Sequence, residues 1–247
     1  DFLLGMAVVL ALVGVTAPNQ LNLTLATGLN LIFRAKSSTF CRRSNNRMSA
    51  AMSGKWARSS ALLAVDQLIA DLGGNVEAAF AHAGISVAAL QQPELPLPAQ
   101  AVVELFESAA EHCRCDSFGL QLACRQTLAV IGPLWQLAQC APDIRTLLQQ
   151  LEQFFQHVTS GAQVSLEHGS YGVALCYSLA SGVNPRDRHT IELGLGLLCR
   201  EIRRHCGPRW HPKAVQLRHA PPRRSGLAPA DFRHQPVFQS GAQRRAL

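Results

Sequence analysis

Charged residues are scarce in this chain: they make up 16% of its 247 residues, whereas hydrophobic residues make up 48%. Disordered chains show the opposite balance, so this composition excludes disorder and indicates a globular protein. The sequence also has no internal repeats and no low-complexity tracts. At this length the chain is able to bury a sizeable core, as one large domain or as one medium domain with flanks.

The motifs of the common enzyme classes are missing as well. The chain has no Gly-x-Ser-x-Gly elbow, no glycine-rich phosphate loop with a lysine, no His-Glu-x-x-His motif and no obvious carboxylate pair in its middle. Catalytic groups can also assemble from distant positions. The sequence nevertheless favours a protein that is not an enzyme, and it predicts neither catalytic residues nor a cofactor.

The net charge of +7 is concentrated at the two ends of the chain. Residues 1–60 carry seven Lys and Arg against one Asp, and residues 221–247 carry five Arg against one Asp. The stretch between them, residues 61–220, has a net charge of −3. A faintly acidic central region is not a phosphate-binding surface, so the composition alone does not predict that this region binds nucleic acid.

An apolar run of 14 residues, Phe2–Val15, opens the chain and is too short to span a bilayer comfortably. It has the length of a signal-peptide core, but no positively charged residues precede it. Either the chain is a fragment of a longer protein, or residues upstream of a true start at Met48 or Met52 are included. We therefore expect residues 1–51 to be a flank, with an export or membrane segment as the competing interpretation.

We expect the eight cysteines to be reduced, because a chain with a good apolar core does not need disulfides. The nearest approach to a metal motif is His112-Cys113-Arg114-Cys115, with Cys124 nine residues later. Structural zinc sites use paired Cys-x-x-Cys or Cys and His sets. No metal site is therefore predicted, and the alternative function for these thiols is oxidation sensing.

Hydrophobic periodicity predicts an α+β fold, with a helical N-terminal half followed by a small antiparallel sheet packed with one or two long helices. The clearest helix follows Asp143, a good cap residue, and its apolar residues recur at three- and four-residue steps to Val158. The period then changes to two, which predicts a hairpin over Val164–Leu179. Further helices are predicted at residues 56–71, 75–82, 98–112, 118–125, 133–140 and 190–206, with Asn75 and Thr190 as caps, and a strand at Ala214–Arg218.

Short motifs then follow one another in a recognisable order from about Ser60 to the end of the chain. They are Ala83-Gly84-Ile85, Phe118-Gly119-Leu120, Gly132-Pro133-Leu134, Ala141-Pro142, Gly207-Pro208-Arg209-Trp210-His211-Pro212, Val215-Gln216-Leu217-Arg218-His219, and the ending Pro236-Val237, Ala242, Arg244 and Ala246-Leu247. In this order the sequence resembles the arabinose-binding-type N-terminal domain of AraC-type transcriptional regulators, in the subfamily related to ornithine- and arginine-responsive regulators. Where that pattern has two aromatic residues before the Pro-Val pair, Pro222–His234 offers only Phe232.

The resemblance implies a regulatory domain that binds a small-molecule effector or mediates dimerisation. Such a domain controls DNA binding by a C-terminal helix-turn-helix domain, which we expect to be missing from this chain. The implied domain covers residues 52–220, and residues 221–247 form its C-terminal edge and the linker toward the DNA-binding domain.

The resemblance also implies a set of partners in the bacterial cytoplasm. They are an unknown small-molecule effector, DNA only through the missing domain, a second copy of the chain and, indirectly, RNA polymerase. Two alternatives are open: a stand-alone small-molecule binding protein, and an exported or membrane-tethered protein that uses residues 2–15.

Four residues are candidates for ligand contacts: Trp135, Phe154, His157 and Tyr177, with Phe155 beside them. Ligand pockets are mostly apolar with a few polar anchors, and these side chains would supply both. The competing interpretation is that the aromatic side chains fill the core and that His157 lies at the surface. The dipole of the last helix explains the cations near its end, Arg200, Arg203, Arg204 and His205, without nucleic acid.

Overall fold

The computed structural model describes residues 31–36, 54–169, 172–183, 186–219 and 236–238. Seven α-helices and seven β-strands lie within these ranges. The helices are α1 (Val65–Asp71), α2 (Val76–His82), α3 (Ala99–His112), α4 (Phe118–Arg125), α5 (Pro133–Gln139), α6 (Ile144–Phe154) and α7 (Arg188–Cys206). The strands are β1 (Leu31–Ala35), β2 (Trp56–Arg58), β3 (Pro96–Pro98), β4 (Ala162–Gly169), β5 (Gly172–Leu179), β6 (Ala214–Leu217) and β7 (Pro236–Phe238).

The main sheet has five strands in the order β4-β5-β1-β6-β7. β4 and β5 form the predicted antiparallel hairpin, in which Val164 pairs with Tyr177. The other neighbours run parallel, and Phe33 of β1 lies opposite Leu175 of β5 and Val215 of β6. The α+β class and the helical N-terminal half are confirmed. The main sheet differs from the expected antiparallel one in being mixed, because β1 lies between the hairpin and β6.

A second sheet, formed by β2 and β3, stands where the first turns of a helix were expected. The helix predicted at residues 56–71 begins only at Val65, after Ala64 in a left-handed conformation with φ of 62°. Before it, Trp56–Arg58 pairs antiparallel with Pro96–Pro98. The periodicity of a segment does not reveal a partner that lies about 40 residues away, and pairing with that partner overrides local helix preference.

The structure confirms two of the predicted helix caps and corrects a third. The side-chain oxygen of Asn75 accepts a hydrogen bond from the N–H of Ala78 at 2.9 Å. The carboxylate of Asp143 accepts one from the N–H of Thr146 at 2.7 Å. Thr190 is not a cap, because α7 already begins at Arg188. Instead, the N–H of His189 donates to the carboxylate of Glu107 on α3, at 2.6 Å. A carboxylate at the positive end of a helix dipole stabilises the helix.

α7 is the longest described helix, with 19 residues, and it packs against α3, α4, β1 and β5. Its contact with α4 is close at Gly119, where an added Cβ would overlap the backbone carbonyl of His189. Only glycine permits that approach. The Phe118-Gly119-Leu120 motif therefore has a packing reason: the glycine lets two helices meet, while the buried Phe118 and Leu120 enter the core.

β1 contributes two fully buried side chains, Leu31 and Phe33, to the core. The Phe33 ring packs edge-on against Trp210, with ring centroids 6.4 Å apart and an interplanar angle of 72°. Trp210 belongs to the Gly207–Pro212 motif that follows α7. β1 lies in the part of the chain that was expected to be a flank, residues 1–51, yet it occupies the centre of the sheet.

Several other features of the described residues bear on the sequence-based expectations. No helix among them is both long and apolar enough to cross a membrane. No disulfide is recorded among their seven cysteines, and no three His, Cys, Asp or Glu side chains of this part lie together as a metal site would need. The apolar run Phe2–Val15 and Cys41 lie outside the described residues.

Replacing Phe33 by alanine tests whether β1 belongs to the folded domain. Because the ring is fully buried, we expect Phe33→Ala to lower the free energy of unfolding in urea by about 3–5 kcal/mol. The control is Ile32→Ala, a half-buried residue on the other face of the strand, for which we expect a clearly smaller loss. Equal stability of Phe33→Ala and the wild type would show that β1 does not support the fold.

Candidate functional site

A cavity of about 120 Å³ lies between α3, α7 and the main sheet. Each helix lines it with residues at three- and four-residue steps, a spacing that places them on one helical face. The two helices therefore present largely apolar stripes to each other across the cavity. The stripe of α3 is Ala99, Val102, Val103 and Phe106, and that of α7 is Thr190, Leu193, Gly194, Leu197 and Leu198.

The remaining walls come from the hairpin and from two short 3-10 turns, Ser59–Leu62 and Leu128–Ile131. The hairpin side consists of Ala162, Tyr177 and Leu179, together with Phe155, Val158, Thr159 and Gly161 just before it. The other lining residues come from β2, the two turns and the residue after α4: Ala57, Arg58, Ser60, Ala61, Gln126, Leu128, Val130 and Ile131. Apolar side chains dominate both groups of residues, and the polar ones are few.

Tyr177 enters the cavity lining because α7 has no side chain at Gly194. A Cβ at this position would lie 2.6 Å from two atoms of the tyrosine ring, so the ring rests directly on the helix backbone. The ring of Phe155 meets it edge-on, with centroids 6.2 Å apart and an interplanar angle of 81°. Burial raises the pKa of Tyr177 above its usual value. Its phenol is therefore neutral near pH 7 and is able to donate a hydrogen bond.

Arg58, at the end of β2, brings a positive charge to the cavity lining. Its side chain is only 10% exposed and pairs with the carboxylate of Glu94, which is 72% exposed. The Nε of Arg58 is buried and has no hydrogen-bond partner among the described residues. Burial lowers the pKa of this guanidinium, but arginine stays protonated in proteins. The cavity lining therefore contains a cation with a hydrogen-bond donor that no other described residue uses.

Gln126, which directly follows α4, also lines the cavity and is 1% exposed. Its side-chain N–H groups donate to the carbonyls of Ala61 and Leu63, at 3.0 and 2.6 Å. Its Oε1 is buried and has no hydrogen-bond partner in the described part of the chain. A buried polar group without a partner costs about 1–3 kcal/mol, so a ligand that donates to this oxygen would remove the cost.

Two other hydroxyls of the lining are already engaged by the backbone. Ser60 donates to the carbonyl of Val130 at 2.7 Å, and Thr159 donates to the carbonyl of Trp56 at 2.6 Å. Thr190 differs, since its buried Oγ1 has no partner among the described residues. The cavity is thus mostly apolar, with a few polar atoms available to a bound molecule.

Only some of the predicted ligand residues line the cavity. Tyr177 and its neighbour in the prediction, Phe155, line the cavity, whereas Trp135, Phe154 and His157 do not. Trp135 is buried near the end of α7, with the Arg204 guanidinium 5.5 Å from its ring centroid. Phe154 and the exposed His157 lie beside each other, with ring centroids 6.2 Å apart. Ligand contact by any of the four stays a prediction.

Sequence reasoning missed most of the cavity lining. The apolar face of α3 is visible in the sequence, but it looks the same whether it faces packed core or empty space. Arg58 entered only as one of the basic residues of the N-terminal stretch. Arg58 is identified by the neighbouring carboxylate of Glu94, which comes from a separate segment, and by the burial of nine-tenths of its own side chain. Both features appear only in the folded structure.

A group of buried charged residues lies at the start of α7, next to the cavity wall. Glu107 caps the helix there, one residue after the lining residue Phe106. Glu192 is buried within the first turns of α7, where its carboxylate accepts from the Arg188 guanidinium at 3.1 Å. Burial is the largest influence on Glu107 and raises the pKa of its carboxyl above the ordinary 4.5.

Most of the chain matches a known protein family. The model of the family described as the N-terminal arabinose-binding domain of AraC transcription regulators matches residues 73–245, more than half of the chain. No curated protein matches the chain significantly. The matched range contains both helical walls of the cavity, α3 and α7, whereas Arg58 lies before it.

The raised pKa of Glu107 predicts a pH-dependent stability. An acid whose pKa is higher in the folded state than in the unfolded state favours folding at low pH, and that contribution is lost as the pH rises from 4.5 through the folded-state pKa. Glu107→Gln keeps the acceptor for His189 but cannot ionise. We therefore expect the stability of the variant to improve relative to wild type as the pH rises through this window.

Urea unfolding of both proteins at a series of pH values from about 4 to 8 measures this difference, and the points below the ordinary carboxyl pKa serve as the internal reference. A stability difference that stays constant across the series would contradict the buried, ionisable role of Glu107.

Proposed function

The chain belongs to the family of N-terminal arabinose-binding domains of AraC transcription regulators, and we propose on this basis that the cavity is the effector site of a bacterial transcription factor. The family is a ligand-binding regulatory domain and not an enzyme family. The observation that carries the proposal is the mostly apolar cavity between α3 and α7, two helices that lie inside the matched range. Assignment to the ornithine- and arginine-related subfamily stays a prediction.

Effector binding acts on the rest of the factor by linkage. A ligand shifts a domain toward the arrangement it prefers, by at most its difference in affinity for the two arrangements. α7 supports such a role because it lines the cavity from Thr190 to Leu198 and continues to its last turn. There Arg204 and His205 lie against the ring of Trp135, the latter with ring centroids 6.1 Å apart. A displacement of α7 by a ligand would therefore reach this second contact.

In this proposal the DNA-binding domain is a helix-turn-helix domain encoded downstream of this chain. Its recognition helix contacts DNA in the major groove. The factor works in the cytoplasm, as a dimer, and influences RNA polymerase through the bound DNA. Residues 52–220 form the regulatory domain together with β1, and residues 221–247 lead toward the DNA-binding domain.

The gene itself distinguishes this proposal from a stand-alone small-molecule binding protein. A reading frame that continues past the codon for Leu247 into a helix-turn-helix sequence supports the transcription factor. A natural stop codon directly after Leu247 would instead favour the stand-alone protein, with the same cavity as its binding site.

A thermal-shift panel of amino acids, sugars and aliphatic carboxylates tests the effector site. At a concentration of about 100 times Kd, a ligand stabilises its protein by about 2.7 kcal/mol, which raises the Tm of a chain of this size by about 5–10 °C. We expect at least one compound class to produce such a rise. Melting curves that are flat for every class would contradict an effector site.

A cavity-filling variant shows whether the rise comes from this cavity. Val103→Phe places a larger side chain in it, so we expect the ligand-dependent rise to disappear while the Tm without ligand falls little. The control is Leu63→Phe, at a side chain that is 52% exposed, which should leave the rise unchanged. An undiminished rise in Val103→Phe would place the ligand elsewhere.

A further inference from the structure

We propose that the ligand of the cavity is an elongated aliphatic carboxylate, with its hydrocarbon chain between α3 and α7 and its carboxylate on Arg58. This inference rests on the proposed effector site and adds the chemical class of the effector. The arabinose in the family's name is a different chemical class, because a sugar presents hydroxyl groups on every side.

The long dimension of the cavity follows from its α7 wall. The lining residues of this helix run from Thr190 to Leu198, which at 1.5 Å per residue spans about 12 Å. The facing stripe of α3 from Ala99 to Phe106 spans about 10 Å by the same rise. Two apolar stripes of this length suit an extended hydrocarbon chain rather than a compact polar ring.

The lining has too few available polar groups for a sugar. Ser60 and Thr159 already donate to backbone carbonyls, whereas the Oγ1 of Thr190 has no partner among the described residues. Hydroxyl groups of a sugar placed against the apolar stripes would lose their hydrogen bonds to water without replacement, which is unfavourable for each of them. A hydrocarbon chain at the same place gains free energy from burial.

The polar end of the ligand belongs on the side of Arg58 and Gln126. Both residues line the cavity, and the Gln126 side chain bonds to the carbonyls of Ala61 and Leu63, which lie three and five residues after Arg58. A carboxylate is the natural partner of a guanidinium with an unused Nε. A water bound to that carboxylate would also supply a donor for the Gln126 Oε1.

Glu94 is the present partner of Arg58, and its exposure makes it replaceable. The carboxylate of Glu94 is 72% exposed, whereas the Arg58 side chain is 10% exposed. Ion pairs with such an exposed partner contribute little to stability. A ligand carboxylate that reaches Arg58 from within the cavity would compete with Glu94, and Glu94 would return to solvent at low cost.

Isothermal titration of the whole chain with sodium octanoate, 1-octanol and L-arabinose tests the inference. Hydrogen bonds to charged groups contribute about 1.5–3 kcal/mol, so we expect octanoate to bind at least about ten-fold tighter than 1-octanol. In the series from butanoate to octanoate, each added CH₂ should tighten binding about four-fold until the cavity is filled. Arabinose should not compete with octanoate.

Variants of the ion pair separate the head group from the chain. Arg58→Met should remove the preference for octanoate over 1-octanol, whereas Arg125→Met, at a surface arginine paired with Asp71, should leave it intact. Glu94→Gln removes the competing carboxylate and should tighten octanoate binding several-fold. Because Glu94 is exposed, this second variant remains informative if Arg58→Met does not fold.

Equal affinity for octanoate and 1-octanol, a preference that survives in Arg58→Met, or weaker octanoate binding in Glu94→Gln would overturn the inference. Each of these outcomes would leave the effector site itself standing if Val103→Phe still abolished binding. Displacement of octanoate by arabinose would likewise refute the carboxylate class alone. Failure of every compound in the thermal-shift panel would refute both.

Discussion

The position of α7 is the constraint on which the rest of the structure depends. Gly119 lets α4 reach the backbone of His189, and Gly194 leaves room for the ring of Tyr177. The buried carboxylate of Glu107 fixes the first turn of the helix from α3. Between these points the same helix forms a wall of the cavity, so the cavity exists only while α7 is held in this place. A ligand that fills the cavity acts directly on the element that organises the domain.

The parts of the fold that depend on local sequence could be predicted. The caps at Asn75 and Asp143, the hairpin around Val164 and the long last helix follow from nearest neighbours in the chain and from apolar periodicity. The mixed sheet could not be predicted, because the pairing of β1 with β5 joins segments far apart in sequence. For the same reason Trp56–Arg58 gave a helical pattern locally but folds as a strand against β3.

The candidate site was harder to predict than the fold, because a cavity is the space that the surrounding side chains leave unfilled. The sequence predicted aromatic residues as ligand contacts, and one of them, Tyr177, lines the cavity. The position of the cavity, however, depends on small residues. Gly194 is the clearest case, since the ring of Tyr177 rests on it. Arg58 supplies the positive charge of the site. Its burial and its pairing with Glu94, which identify it as a candidate ligand contact, are visible only in the structure.

If the cavity is the effector site, the aliphatic part of a bound ligand lies between α3 and α7. Intermolecular nuclear Overhauser effects between sodium octanoate and the methyl groups of the labelled protein test it most directly. We expect contacts from the protons of the octanoate chain to the methyl groups of Val103, Leu193 and Leu197, and none to Leu148, which is buried on α6 and does not line the cavity. Contacts confined to α6, or no contacts at saturating octanoate, would contradict it.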